Sequence, residues 1–84
     1  MPTISSFYGI IIMMFFAQRE HNPPHIHAYY NDYEASFKIE DGRILTGDFP
    51  KNGKRMVKEF ILHYQKELYE MWKTGVFKKL PAIN

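Results

Sequence analysis

Cysteine is absent from this 84-residue chain. With it go disulfide staples, thiolate nucleophiles and thiolate zinc sites, so packing alone has to hold the fold, which suits a reducing compartment. Long apolar runs are missing too: the longest, Gly9 to Phe16, falls far short of the roughly 20 residues a membrane helix requires. The opening Met1-Pro2-Thr3 has no basic segment of the kind that starts a secretory signal. A strong charge of one sign is also lacking, and a net +2 gives no reason by itself to expect a nucleic-acid partner. There is no internal repeat, low-complexity tract or flexible linker. These absences leave a cytoplasmic protein of bacterial type with no membrane span, and a length that suits one core and one domain over residues 1–84.

Aromatic residues are plentiful at 17%, and they help to fill a core that is thin at this size. Charge is unevenly spread. Residues 1–50 hold three Lys/Arg against six Asp/Glu, and residues 51–84 hold eight against three, so the halves carry −3 and +5. A basic second half is either a solvated helix surface or a face for an anionic partner.

Periodicity divides the chain at about residue 50. Ile10 to Phe16 is continuously apolar and short, the pattern of a central strand buried on both faces. Glu20 to Pro24 has to be a loop, because Pro23 and Pro24 lack backbone donors and Pro23 drives Asn22 out of helical geometry. His25 to Tyr30 alternates, with His25, His27 and Tyr29 on one face and Ile26, Ala28 and Tyr30 on the other. Asn31-Asp32 suits a two-residue hairpin turn. In the next strand Tyr33, Ala35, Phe37 and Ile39 face a core, while Glu34, Ser36, Lys38 and Glu40 face water. Asp41-Gly42 is a further turn, leading into a strand from Arg43 to about Thr46.

From Lys51 the apolar positions recur every three or four residues through Trp72, the signature of an amphipathic helix. Unbroken to Thr74 it would run about 36 Å, too long for so small a sheet, so a bend or break near His63 to Gln65 is expected. Gly75 is a natural stop. The whole predicts an α+β fold: a small antiparallel sheet of about four strands within residues 1–48, packed on one face by two C-terminal helices or one bent helix over 51–76. The other face is a natural place for a partner or a second copy of the chain, since so small a sheet leaves apolar surface uncovered.

Three of the four histidines fall in seven residues, His21-Asn22-Pro23-Pro24-His25-Ile26-His27. A His-x-His pair on a strand puts two imidazoles on one face about 6.6 to 6.8 Å apart at Cα, and a stiff proline turn could return His21 as a third group. Three readings stand. His21, His25 and His27 could be neutral nitrogen ligands for zinc or another divalent transition metal, with Glu20 and Glu34 as candidates to orient the rings. The same three could be catalytic acid and base without a metal, in phosphodiester or nucleotide chemistry, with Lys54 and Arg55 neutralising an anion and Asn22 and Tyr30 in support. Or they could be structural, hydrogen-bonding backbone around a proline-shaped strand entry.

Other candidates read more plainly. His63, between Ile61 and Tyr64, suits a packed or capping histidine. Phe60, Tyr64, Met71 and Trp72 form a stripe at helical spacing that reads as core. Lys51, Lys54 and Arg55 open the helical stretch, where basic side chains and free amides could hold phosphate or simply be solvated. Tyr29 and Tyr30 could stack a base, although the acidic first half offers no clear basic groove, and nucleic acid stays an open partner class.

The opening Met1-Pro2-Thr3-Ile4-Ser5, Phe7-Tyr8-Gly9-Ile10 and above all His21-Asn22-Pro23-Pro24-His25-Ile26-His27-Ala28 resemble the small bacterial family called domain of unknown function 4160. Tyr33-Glu34-Ala35, Asp41-Gly42, Phe49-Pro50, Val57 with Glu59, Leu62-His63, Glu67-Leu68 and Trp72 extend the resemblance along nearly the whole chain. Members of that family are often encoded beside a second small domain, and some such pairs behave as toxin and antitoxin. The resemblance thus implies a toxin-type component that binds a small cognate protein encoded nearby, with His21, Asn22, His25 and His27 carried over from the motif. The alternative is a non-catalytic metal-binding, protein-interaction or regulatory module. Phe60 stands where relatives often have tryptophan, and Met71 where an asparagine commonly precedes Trp72, which removes a polar group from that helix position.

Overall fold

Five strands in chain order form one sheet, and two helices follow. The computed structural model describes residues 3–15 and 23–82. Strands β1 (Thr3–Phe7), β2 (Ile10–Met13), β3 (His25–Tyr30), β4 (Tyr33–Lys38) and β5 (Ile44–Asp48) pair antiparallel in the order β1-β2-β3-β4-β5. Helices α1 (Lys51–His63) and α2 (Gln65–Thr74) complete the α+β fold.

The turns explain the meander. Between β1 and β2 the chain reverses at Tyr8 and Gly9, both at positive φ (50° and 79°), the backbone of a tight hairpin whose twist matches its strands. Asn31 takes positive φ (51°) in the expected turn between β3 and β4. At Gly42, φ is 73°, and an added Cβ would come within 2.7 Å of the Lys58 side chain and 3.2 Å of its Cα. Glycine there lets the β4–β5 connection lie directly under α1.

Alternation puts Ile10 and Ile12 of β2, Ile26 and Ala28 of β3, and Ala35 and Phe37 of β4 on one face, each at most 2% exposed. Val57, Phe60 and Ile61 of α1 and Leu68 and Met71 of α2 are buried with them. Burial of each such side chain contributes about 1.5–3 kcal/mol relative to exposure, which is where the stability of a cysteine-free chain has to arise. The helices part at Tyr64 (φ −108°, ψ 25°), inside the interval expected from length. Gln65 then donates to the carbonyls of Ile39 (2.9 Å) and Glu40 (2.7 Å), tying the start of α2 to the end of β4. Gly75 closes α2 in the left-handed region at φ 73°.

Several expectations need correction. The strand count is five, because Thr3–Phe7 pairs with β2. Its short polar sequence has little alternation, and a tyrosine at positive φ is not ordinary turn chemistry. The run from Ile10 is not buried on both faces: β2 ends at Met13, Ile11 is 38% exposed, and β3 occupies the middle of the sheet. Phe16 lies outside the described residues. Tyr33 is exposed rather than core, while Ser36 is buried, its hydroxyl 2.6 Å from that of Thr46. The last strand begins one residue later than Arg43 and continues to Asp48. Among the described residues no helix is long and apolar enough to cross a membrane.

Candidate functional site

The double proline delivers the chain into β3 at one end of the sheet. Pro23 and Pro24 cannot pair as donors, yet their carbonyls are used: Pro24 accepts from the Ile39 amide (3.0 Å), and Pro23 lies 2.9 Å from Nδ1 of His25. A carbonyl oxygen only accepts, so Nδ1 carries the proton of the neutral ring and Nε2 is its unprotonated nitrogen. A local carbonyl two residues back thus fixes both the orientation and the tautomer of His25, a role that backbone carbonyls commonly play for working histidines.

Alternation and the β3 hydrogen bonds place His25 and His27 side by side. Their rings are 5.1 Å apart between centroids at an interplanar angle of 67°. The Trp72 ring of α2 is centred 5.1 Å from that of His25, and the Phe15 ring stands nearly perpendicular to that of His27 at 4.4 Å. The two imidazoles therefore sit in a row of aromatic rings, Trp72, His25, His27 and Phe15, at the sheet end where β2 finishes and β3 begins. Exposure separates them: His25 is 7% exposed, whereas His27 is half-buried.

The strand register supplies the polar neighbours. Lys38 is directly across from His25 and Ser36 from His27, and Thr46 is across from Ser36. Directly opposed residues on one face stand close enough for their side chains to interact. Lys38 also pairs with Asp41 at 3.5 Å. The Asp41 carboxyl is held below its ordinary pKa, first by the hydrogen bond it accepts from the Arg43 amide (3.0 Å); desolvation opposes this, and the Lys38 and Arg43 charges add to the lowering. Tyr29, opposite Glu34, has a phenol pushed above its ordinary value by burial first and by that carboxylate second.

The predicted site residues divide accordingly. His25 and His27 come together. His21, Asn22 and Glu20 lie outside the described residues. Glu34 is across from Tyr29, two positions along the strand from the register of His27. Tyr30 is at the far end of β3 and on its other face, 6.4 Å from Phe49, so it does not support the histidines. Lys54 and Arg55 lie on α1, over the opposite face of the sheet from His27, beside β5; among the described residues the cation in register with the histidines is Lys38, across from His25. His63 is exposed as the basic residue at the last position of α1, its ring nearly perpendicular to that of Tyr64 at 4.6 Å. Among the described residues no three His, Cys, Asp or Glu side chains come close enough together to hold a metal ion, so the zinc reading keeps two of its ligands here and depends on His21 for a third.

Sequence reasoning missed Trp72 and Phe15 as members of this site. Trp72 has the helical spacing of a core residue, and nothing in that spacing tells whether its neighbour is apolar or an imidazole. Phe15 is one residue of an apolar run. The only local signal for Lys38 was its even spacing with Glu34 and Ser36 along one strand face.

Comparison with known proteins adds one match. The family model described as Domain of unknown function (DUF4160) matches residues 9–73, a span that includes Phe15, His25, His27, Lys38 and Trp72. No curated protein and no solved structure matches the chain.

Proposed function

This chain belongs to the family described as Domain of unknown function (DUF4160), and from that membership and the geometry of the sheet end we propose that it is the toxin-type component of a bacterial two-protein module, acting in the cytoplasm through His25 and His27. Its partner in this reading is a small cognate protein encoded nearby. The observation that carries the site is the hydrogen bond between His25 Nδ1 and the Pro23 carbonyl, 2.9 Å long, made by a ring that touches His27. A histidine pinned in one tautomer beside a second, more accessible histidine is the arrangement that proton transfer requires, since one ring is held in register while the other meets a substrate. Lys38, across from His25, supplies positive charge on the same face and favours an anionic substrate.

A second reading has its own support. His25 is nearly sealed, with a main-chain partner and ring contacts to both His27 and Trp72, which also suits a structural histidine in a regulatory or protein-interaction module. Zinc binding is a third form of the site, with His21 as the added ligand.

Induction of the wild type and of a His27→Ala variant in a bacterial host tests these together. The proposal expects growth arrest by the wild type and none by the variant at equal soluble level and equal melting temperature. Unimpaired growth with the wild type, or equal arrest by both, sinks it. Protein purified without a histidine tag should gain melting temperature with zinc only if the metal form is right, and a His21→Ala variant should lose that gain.

A further inference from the structure

The two edges of the sheet are treated differently. β1 is covered by the chain's own tail, where the Leu80 amide donates to the Ile4 carbonyl at 2.8 Å. β5 pairs only with β4, so among the described residues its outer main-chain groups face no other strand, and Thr46, Gly47 and Asp48 are exposed. Exposed edges are templates for a further strand.

Beside that open edge, between β5 and α1, runs a groove of about 620 Å³. Its walls hold four cations, Arg43, Lys54, Arg55 and Lys58, over a floor that includes Phe37 and Ile44. Arg43 has an Asp41 oxygen 4.0 Å from its Nε. Lys54, Arg55 and Lys58 have no carboxylate within 4.0 Å among the described residues. The one carboxylate in the lining, Asp48, accepts from the Phe49 amide at 2.9 Å and is turned to its own backbone. The first turn of α1 contains no acidic residue, so nothing there offsets the positive helix end.

We infer that β5 and this groove dock an extended acidic segment of a partner protein, which adds to the sheet as a sixth strand and sets its carboxylates against Lys54, Arg55 and Lys58. Main-chain pairing supplies the geometry of strand addition, and alternate side chains supply specificity. A peptide fits better than a nucleic acid because the cations flank a strand edge and an apolar floor, with no exposed aromatic in the lining on which bases would stack. The inference is independent of the histidines, which lie on the sheet's other face two strands away.

The test titrates the full chain with a peptide of about ten residues in which glutamate alternates with valine. Expected are binding that weakens as salt rises, slowed amide exchange over Leu45 to Asp48, and affinity reduced at least tenfold in a Lys54→Glu, Arg55→Glu variant. That variant will fold, since both positions are exposed and acidic residues suit the first turn of a helix. Methylating alternate backbone nitrogens of the peptide should abolish binding. Equal binding of the methylated peptide, no binding up to about 1 mM, or tighter binding of a thymidine oligonucleotide of equal charge would each overturn the inference, the last in favour of a nucleic-acid site.

Discussion

The covered face of the sheet and the end of β3 are both built around rings, but they close in different ways. Under the helices Phe37 stands edge-on to Phe49 at 5.6 Å, and Phe60 stacks on Phe7 at 5.3 Å; none of these rings has a polar atom to satisfy. At the end of β3 the central rings are imidazoles, and a carbonyl had to be placed within reach of one of them. The apolar face therefore determines whether the chain folds, while the sheet end determines where two nitrogens point. Removal of a ring should separate these roles.

The largest effect belongs to the covered face. Phe37 is 1% exposed, and Phe37→Ala should cost about 3–5 kcal/mol of unfolding free energy by loss of transfer energy plus a cavity. Urea titration followed by circular dichroism measures it. A cost no greater than that of a substitution at the histidines would break the distinction between the two regions.

Trp72→Ala comes next, at about 2 kcal/mol, because the residue is only half-buried. Its sharper readout is at His25. With the indole gone the imidazole loses its cover on that side, but the Pro23 bond does not depend on Trp72. Long-range nitrogen spectra should therefore show the Nδ1–H tautomer of His25 in both proteins, with faster proton exchange in the variant. An Nε2–H tautomer in the wild type would remove the geometric basis of the site. His27→Ala is smaller again, within about 1 kcal/mol, which is what allows it to serve as the functional variant.

Much of the fold was legible from period alone. The change from alternation to three-and-four spacing at Lys51 coincides with the first residue of α1, and the length argument located the break between α1 and α2 at Tyr64. The facing of His25, His27, Ala35 and Phe37 followed from counting by twos. β1 was not legible, because pairing with β2 makes Thr3–Phe7 a strand and its composition does not. At the site, the adjacency of His25 and His27 was local and could be read. Trp72 lies 47 positions from His25 in sequence, and the choice of Lys38 over Lys54 and Arg55 depends on which face of the sheet each element covers, which no single segment encodes.

The smallest effect sharpens the comparison at its polar end. Asp41 accepts from the Arg43 amide and pairs with Lys38, and its pKa is lowered in the fold. A carboxyl whose folded pKa is depressed stabilises the fold at pH values above its unfolded value of about 3.9, and that stabilisation is lost as pH falls through the folded value. Asp41→Asn should leave the sheet intact, lower stability slightly at neutral pH, and flatten the acid limb of the stability curve below about pH 4. It should also release Lys38, so any anion that binds beside His25 should bind somewhat more tightly in the variant. An acid limb identical to that of the wild type would show that this carboxylate contributes nothing, and that Lys38 is already available to the histidine face.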